Sequence, residues 1–537
     1  MTLGQEDYVS LELTLVGPMR LEDANGVSFG PKSMKARGMM VLLALAPDHR
    51  RPRGWLQERL WSDRSADQGK QSMRQCLTEL RRHLGPHKAG LITEGGVVAL
   101  DTNIIRVDPV LQQDPRFEAG QELCEDLDVK DPKFREWLED QRAKLMQGAN
   151  QARAVMRANL MEHGPPRTPV VALAQHDPEG AEEKFFIQIF NDHLARDLKE
   201  YGAISVVPEA QVPVGTELLR VKSDHYRNGR FWHAHVHMEL AADHQYLWSD
   251  TRKIEVHGAP PIEELEMQVL IGKTATRVMN EVMQRHGDSA AGLFFRAQSL
   301  IFSLDKNAME QADDLLQRAF ELEPKAVYLS WRSFLRISQM LEHRATDKDK
   351  VIKEIDDFIA TSLVMDGANS MVLAMAAQAR LTVEKDAGGA MSLVRRAIDL
   401  NRANPYAWAF LAIAQMRNGQ NEEAHGSAIR ARYLARATPF VFWWDMLCCL
   451  TAMSLDRVED AIRFGEAARA YLPTYRPALR YLYALYESQG VPDAALERLE
   501  VLMRVEPDFK PSLLHDPGYP SATLRNSKII EKVPANN

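Results

Sequence analysis

Along Gln68–Leu84, QGKQSMRQCLTELRRHL, apolar Met73, Leu77, Leu80 and Leu84 recur at helical spacing with Cys76 beside them, so one face is fit for a core. The opposite face carries Lys70, Gln71, Arg74, Gln75, Thr78, Arg81 and Arg82, with Glu79 as its one acid. Upstream, residues 8–31 alternate apolar and polar through Val9, Leu11, Leu13 and Leu15 and turn at Gly17-Pro18 and Asn25-Gly26, which predicts a small antiparallel sheet. A helix is expected from Ser33 through Ala46, ended by Pro47-Asp48, and a short second one over Gly54–Trp61. Gly85-Pro86 stops the cationic helix, and Leu91–Leu100, turned at Gly95-Gly96, predicts a hairpin.

Farther along, Val170–Leu173, Ile204–Pro208, Leu218–Val221, Phe231–Leu240 and Leu247–Ile254 read as strands, with helices over Glu182–Tyr201 and Ile262–Arg285. The order β-α-β, strands, α predicts an α/β sandwich. From Ala290 the pattern is helical throughout, and Pro405, Pro439, Pro473 and Pro507 recur every 34 residues. Between them run helix pairs such as Ala407–Arg417 with Glu422–Ala435, which predicts an α-solenoid of about six tetratricopeptide-type pairs. An irregular polar tail is expected after Asp508.

The fold class is therefore multidomain α+β: a winged helix-turn-helix, an α/β sandwich and a C-terminal α-solenoid of tetratricopeptide repeats. The expected divisions are 1–110, a helical linker 111–168, 169–287, 288–510 and a tail 511–537.

Charge sharpens this picture. The chain of 537 residues carries a net charge of −8, yet Lys32–Lys88 holds 13 Lys+Arg against 5 Asp+Glu. A basic module on an acidic body binds duplex DNA locally without coating itself in it. Cys76, Cys124, Cys448 and Cys449 lack metal-ligand spacing and fit a reducing cytosol. The amino terminus MTLGQEDYVS is acidic and polar, unlike a signal peptide, and apolar runs such as Met39–Ala46 are far too short to span a bilayer. A cytoplasmic location without membrane contact is the expectation.

The motifs LVGPMRL, SMKARGMMVLLALAP, ERLWSD, SMRQCLTELRRHLG and GVVALD, taken together over Leu13–Val107, resemble the response-regulator-type winged helix of SARP-class bacterial regulators. Gly120–Arg142, with Phe134, Trp137 and Leu138, resembles the start of the bacterial transcriptional activator domain of that class, and the likeness fades after Met146. VVAL, GRFWHAHVHMEL and YLWSDTRKIEV resemble a TolB-like domain, although Gln175–Glu179 departs from its usual loop. These resemblances imply a DNA-binding transcriptional regulator, dimerising on promoter DNA, whose α/β and repeat regions sense a signal or bind RNA polymerase or a regulatory protein. Gln71, Ser72, Gln75 and Thr78 are the base-contact candidates. Lys35, Arg53, Lys70, Arg74, Arg81 and Arg82 are the phosphate-contact candidates.

Other chemistry is thinner. His233, His235 and His237 share one strand face, but the outer two lie about 13 Å apart, too far for one ion. A zinc site there needs Glu239 or His244 as well. Gly272-Lys273-Thr274 ends like a phosphate loop, yet Met267 stands where its first glycine belongs. Phe440–Trp444, FVFWW, reads as repeat core or as a concave aromatic patch. No catalytic residue, metal or cofactor is expected. The alternative function is a tetratricopeptide adaptor whose winged helix contacts protein, a reading that Glu79 on the cationic face favours.

Overall fold

Alternation sends Leu11 and Leu13 of strand β1 (Leu11–Thr14) into a core and leaves Glu12 in solvent. The computed structural model describes residues 11–23, 26–46, 49–102, 104–107, 122–143, 170–174, 180–202, 204–208, 218–240, 244–256, 261–342 and 347–534. Strand β1 pairs antiparallel with β2 (Arg20–Glu22) and parallel with β6 (Ile105–Val107). Between them come α1 (Met34–Ala44), β3 (Arg50–Pro52), α2 (Arg53–Leu60), α3 (Ala66–Leu84), β4 (Leu91–Glu94) and β5 (Val97–Leu100). A second sheet has the order β3-β5-β4. Gly95 and Gly96, both at positive φ, make the two-residue turn of the β4–β5 hairpin. The expected stop of α1 at Pro47-Asp48 lies outside the described residues, as does Asn25 of the expected turn.

The core of this module continues past residue 110. A helix over residues 132–143, α4, contributes Phe134 and Leu138 to the cluster that holds Leu11, Met39 and Leu80, with Leu123 and Val129 from the loop before it. A side chain on Gly38 would come within 2.9 Å of Val129 and 3.2 Å of Phe134, so α1 carries glycine where this segment presses on it. The connector 148–168 and the loop 175–179 lie outside the described residues.

In the α/β unit, β7 (Val170–Leu173), α5 (Ala181–Gly202), β8 (Ser205–Pro208), β9 (Leu218–Asn228), β10 (Phe231–Leu240), β11 (Tyr246–Glu255) and α6 (Leu265–Arg285) follow in order. The sheet runs β11-β10-β9-β7-β8, with β7 parallel to β8 and β9, and β10 antiparallel to β9 and β11. Strand β9 continues well past Val221, where the sequence pattern ended it. Its buried positions there are polar Ser223 and His225, which hide the alternation.

Six helix pairs follow: α7 (Ala290–Phe302) with α8 (Lys306–Leu322), α9 (Ala326–Leu341) with α10 (Lys348–Asp366), and α11 (Ser370–Ala379) with α12 (Ala387–Leu400). Then come α13 (Pro405–Arg417) with α14 (Asn421–Leu434), α15 (Val441–Met453) with α16 (Val458–Tyr471), and α17 (Arg476–Gln489) with α18 (Pro492–Val505). Pro405 opens α13, while Pro439 and Pro473 lie just ahead of α15 and α17, so the proline period marks first helices.

The solenoid is wound tightly. Phe302 of the first pair stacks on Phe440 ahead of the fifth at 4.5 Å, and Tyr406 packs on both Trp331 and Trp444. FVFWW is thus repeat core, with Trp444 wholly buried. Arg480, 2% exposed, pairs with Glu342 at 3.1 Å and Glu506 at 2.8 Å and so ties the sixth pair to the second. After Asp508 the chain is irregular but not merely polar: Leu514, Leu524, Ile529 and Val533 are buried in the same core. Covering the open end of a repeat stack requires apolar contacts of this kind.

A buried polar joint fastens the α/β unit to the repeats. Asn401 Nδ2 donates to Asp197 Oδ1 (2.8 Å) and Glu200 Oε2 (3.0 Å), Ser370 Oγ donates to Glu200 Oε2, and Asn404 Nδ2 donates to Ser370 Oγ (2.9 Å). The joint's hydrogen-bond partners are neutral, and the nearby Arg196 donates to Leu400 O instead. Burial therefore pushes the Asp197 carboxyl up to about 7, with Glu200 adding to the rise and the Asn401 bond opposing it. A raised carboxyl weakens the fold as pH climbs from its unfolded pKa toward its folded one. Thermal melts should show the parent losing about 2 kcal/mol between pH 5.5 and 8 from this group. Asp197→Asn should flatten that loss; an unchanged pH profile in the variant would contradict the assignment.

Candidate nucleic-acid interface

Ser65 starts α3 with a capping box: its hydroxyl accepts from Gln68 N, and the Gln68 side chain accepts from Ser65 N. Gly85, at φ +52, ends it. Met73, Cys76, Leu77, Leu80 and Leu84 are buried, as their spacing predicts. Lys70, Gln71, Arg74, Gln75, Thr78, Arg81 and Arg82 are all exposed, and the helix brings them together on one surface. Arg81 donates to Thr93 Oγ1 on β4, which links that surface to the hairpin.

Glu79 departs from the expectation. Its carboxylate accepts the Ser33 backbone N–H at 3.1 Å, at the N-terminus of α1, where the helix dipole favours a negative charge. Glu79 is thereby drawn toward α1 and half-buried, while the other acid of α3, exposed Asp67 in its first turn, pairs with Lys70 at 3.4 Å. Ser72 is half-buried as well: its hydroxyl donates to Gln68 O and accepts from Arg64 at 2.6 Å. Thr78 Oγ1 donates to Arg74 O and keeps acceptor capacity.

The other cationic candidates divide. Lys35 donates to Leu60 O and lies 3.6 Å from Asp131, so its ammonium already has internal partners. Arg53 is half-buried at the start of α2, and its backbone N–H donates to Gly96 O of the hairpin turn (2.9 Å). Two residues escaped the sequence reading: Trp55, and Arg59, whose guanidinium stacks on that ring at 3.7 Å beside Arg51. The helical pattern of a short, weakly amphipathic segment gives no sign of such stacking. A cleft of about 770 Å³ separates the β3-β5-β4 sheet from the third and fourth repeat pairs, with Arg50 and Glu94 on one side and Lys385 and Arg417 on the other.

Asp131 organises the support beneath the helices. Burial alone would raise its pKa, but the Ser62 amide and hydroxyl and the nearby Lys35 outweigh that and hold the carboxyl below its usual range.

The remaining candidates fall elsewhere. His233, His235 and His237 lie half-exposed on the sheet face of β10 away from α5 and α6. His235 bonds Thr251 at 2.8 Å, and His237 stacks on Tyr246. Glu239 accepts from Arg220 at 2.8 Å. Among the described residues no three His, Cys, Asp or Glu are grouped to hold a metal ion. Gly272-Lys273-Thr274 lies inside α6, where Lys273 pairs with Asp250 at 2.9 Å. Among the described residues, no helix is long and apolar enough to cross a membrane.

No protein-family model matches the chain, and no curated protein is significantly similar to it. Among solved structures, the Cut9-Hcn1 hetero-tetramer of the APC/C matches at 13% identity and a TM-score of 0.32, over 46% of this chain and 46% of that one. Pseudomonas aeruginosa pilF matches at 16% identity and 0.28, over 41% of this chain and 95% of that one. Yeast Tom70 matches at 13% and 0.27, over 46% and 57%. This chain thus spans less than two thirds of the first and third of these.

Asp131→Ala strips the Ser62 amide and Lys35 of their buried partner and should cost about 3 kcal/mol in denaturant unfolding. Because the carboxyl is depressed, its contribution is present above the ordinary carboxylate pKa and fades as pH falls through the folded value. A loss below about 0.5 kcal/mol would show that α4 and its loop are not needed to hold the module. Glu79→Ala should cost about 1 kcal/mol, as loss of a helix cap does.

Proposed function

We propose that the chain is a DNA-binding transcriptional regulator in which the amino-terminal module acts as a winged helix. Helix α3 enters the major groove, and the β4–β5 hairpin flanks it as the wing. The observation that carries this reading is the exposed face of α3, where three arginines, a lysine and two glutamines stand together while Glu79 is engaged at the α1 terminus. Gln71 and Gln75 suit bidentate contact with adenine, and Thr78 has acceptor capacity for a base edge. Lys70, Arg74, Arg81 and Arg82 would meet phosphates. Ser72 would contribute through Arg64, and Arg53 from beside the hairpin turn. Lys35 is better assigned to holding Asp131 than to phosphate. The sequence resemblance to SARP-class regulators supports the same reading, with a TolB-like α/β unit and repeats that receive a signal or a regulatory partner.

A second reading keeps the repeat half as a protein-binding adaptor and gives the module a protein partner. The six helix pairs favour it, since stacked pairs offer extended surfaces. Its inner surface, however, is occupied by Phe302, Phe440 and the Arg480 ion pairs, so a peptide would have to bind elsewhere.

Fluorescence anisotropy of the full chain with sheared genomic duplexes separates the two. Binding should fall as salt rises, and Arg81→Ala/Arg82→Ala should lower the slope of log affinity against log salt by about 2. No binding at low ionic strength, or an unchanged slope in the variant, favours the adaptor.

A further inference from the structure

Where α6 of the α/β unit meets the repeats, the packing leaves a partly enclosed cavity of about 310 Å³. Its walls are mainly apolar: Met279 and Met283 of α6, Phe295 of α7, Tyr406 of α13 and Phe440 before α15. That volume sits at the lower end of small-molecule sites, which combine apolar walls with a few placed polar groups.

Those groups are present. Asn280 and Gln298, on α6 and α7, both line the cavity half-buried, and neither side chain has a hydrogen-bond partner among the described residues. Half-buried carboxamides are ordinarily paired with protein or water, and each offers a donor and an acceptor. No Lys, Arg, His or Glu is among the lining residues, and Asp197, the one carboxylate, is already held by Asn401. No cation there would neutralise an anionic guest, and the carboxyl that could face a cation is engaged at the joint.

Gly272 adds a separate observation. It lies inside α6 and lines the cavity, and a β-carbon built on it meets no atom within 4 Å. Glycine inside a helix costs about 1 kcal/mol relative to alanine, and packing does not demand it here. Its absent side chain leaves room.

We propose that this cavity is a binding site for an uncharged, largely apolar small molecule, about the size of two linked rings, whose hydrogen-bonding end is read by Asn280 and Gln298. Because its walls come from both the α/β unit and the repeats, a guest would brace the two against each other. The site does not depend on what α3 binds.

The probe is N-phenyl-1-naphthylamine, neutral, made of two linked aromatic groups (a naphthyl and a phenyl) and carrying one N–H donor. Titrated into the full chain, it should give saturable, blue-shifted fluorescence with one site per chain. Gly272→Phe should weaken binding more than about tenfold by filling the space, while Gly272→Ala retains it. Gly272→Leu repeats the test should the phenylalanine variant melt early. Asn280→Leu/Gln298→Leu should weaken the probe severalfold. Absence of saturable binding to the parent, or equal binding by a folded Gly272→Phe or Gly272→Leu variant, overturns the proposal.

Discussion

A helix that must bury one face has its other face chosen for it, and in α3 the residues that remain outside are mostly cations and amides. Asp67 at the start of the helix pairs with Lys70, and Glu79 is drawn off that surface by the bond from the Ser33 amide to its carboxylate. The same bond fastens α3 to the start of α1, so the charge on the outer face and the angle between two helices are set together. Beneath them, Asp131 joins the α2–α3 turn to α4 through Ser62 and Lys133, which makes the segment after the hairpin a structural part of the module. The functional proposal needs this rigidity. Side chains reading base edges must come from an element whose position is settled before the encounter.

The body is built on a different economy of polar groups. Asp197, Glu200, Ser370, Asn401 and Asn404 satisfy one another at the joint between the sheet unit and the third and fourth repeat pairs, with two carboxyls and no cation in the set. Closing the repeats around their own aromatic side chains leaves little of the inner groove for a peptide. A partly enclosed space of about 310 Å³ lies instead against α6, and its size suits a small guest better than an extended one.

Much of this was legible in the pattern of residues, for identifiable reasons. The buried face of α3, the glycine-turned hairpin, the helices of the sheet unit and the 34-residue proline period all follow from spacing alone. What escaped depended on partners distant in sequence. Glu79 reads as a surface acid until Ser33, 46 residues away, is brought to it. Lys35 reads as a phosphate ligand until Asp131 appears beneath it. Strand β9 looked short because Ser223 and His225 fill inward positions, and the tail after Asp508 looked polar because its apolar residues are too sparse to show a period. Asn280 and Gln298, without a hydrogen-bond partner among the described residues, carry no sequence signature at all.

The most direct test is photo-crosslinking from the centre of the exposed face of α3, with Gln75 replaced by a benzophenone-bearing amino acid in the full chain. Irradiated with sheared genomic duplex at low ionic strength, it should join covalently to DNA, and a benzophenone at the repeat-face position Tyr471 should not. Equal labelling from both positions, or none from Gln75, would contradict the account.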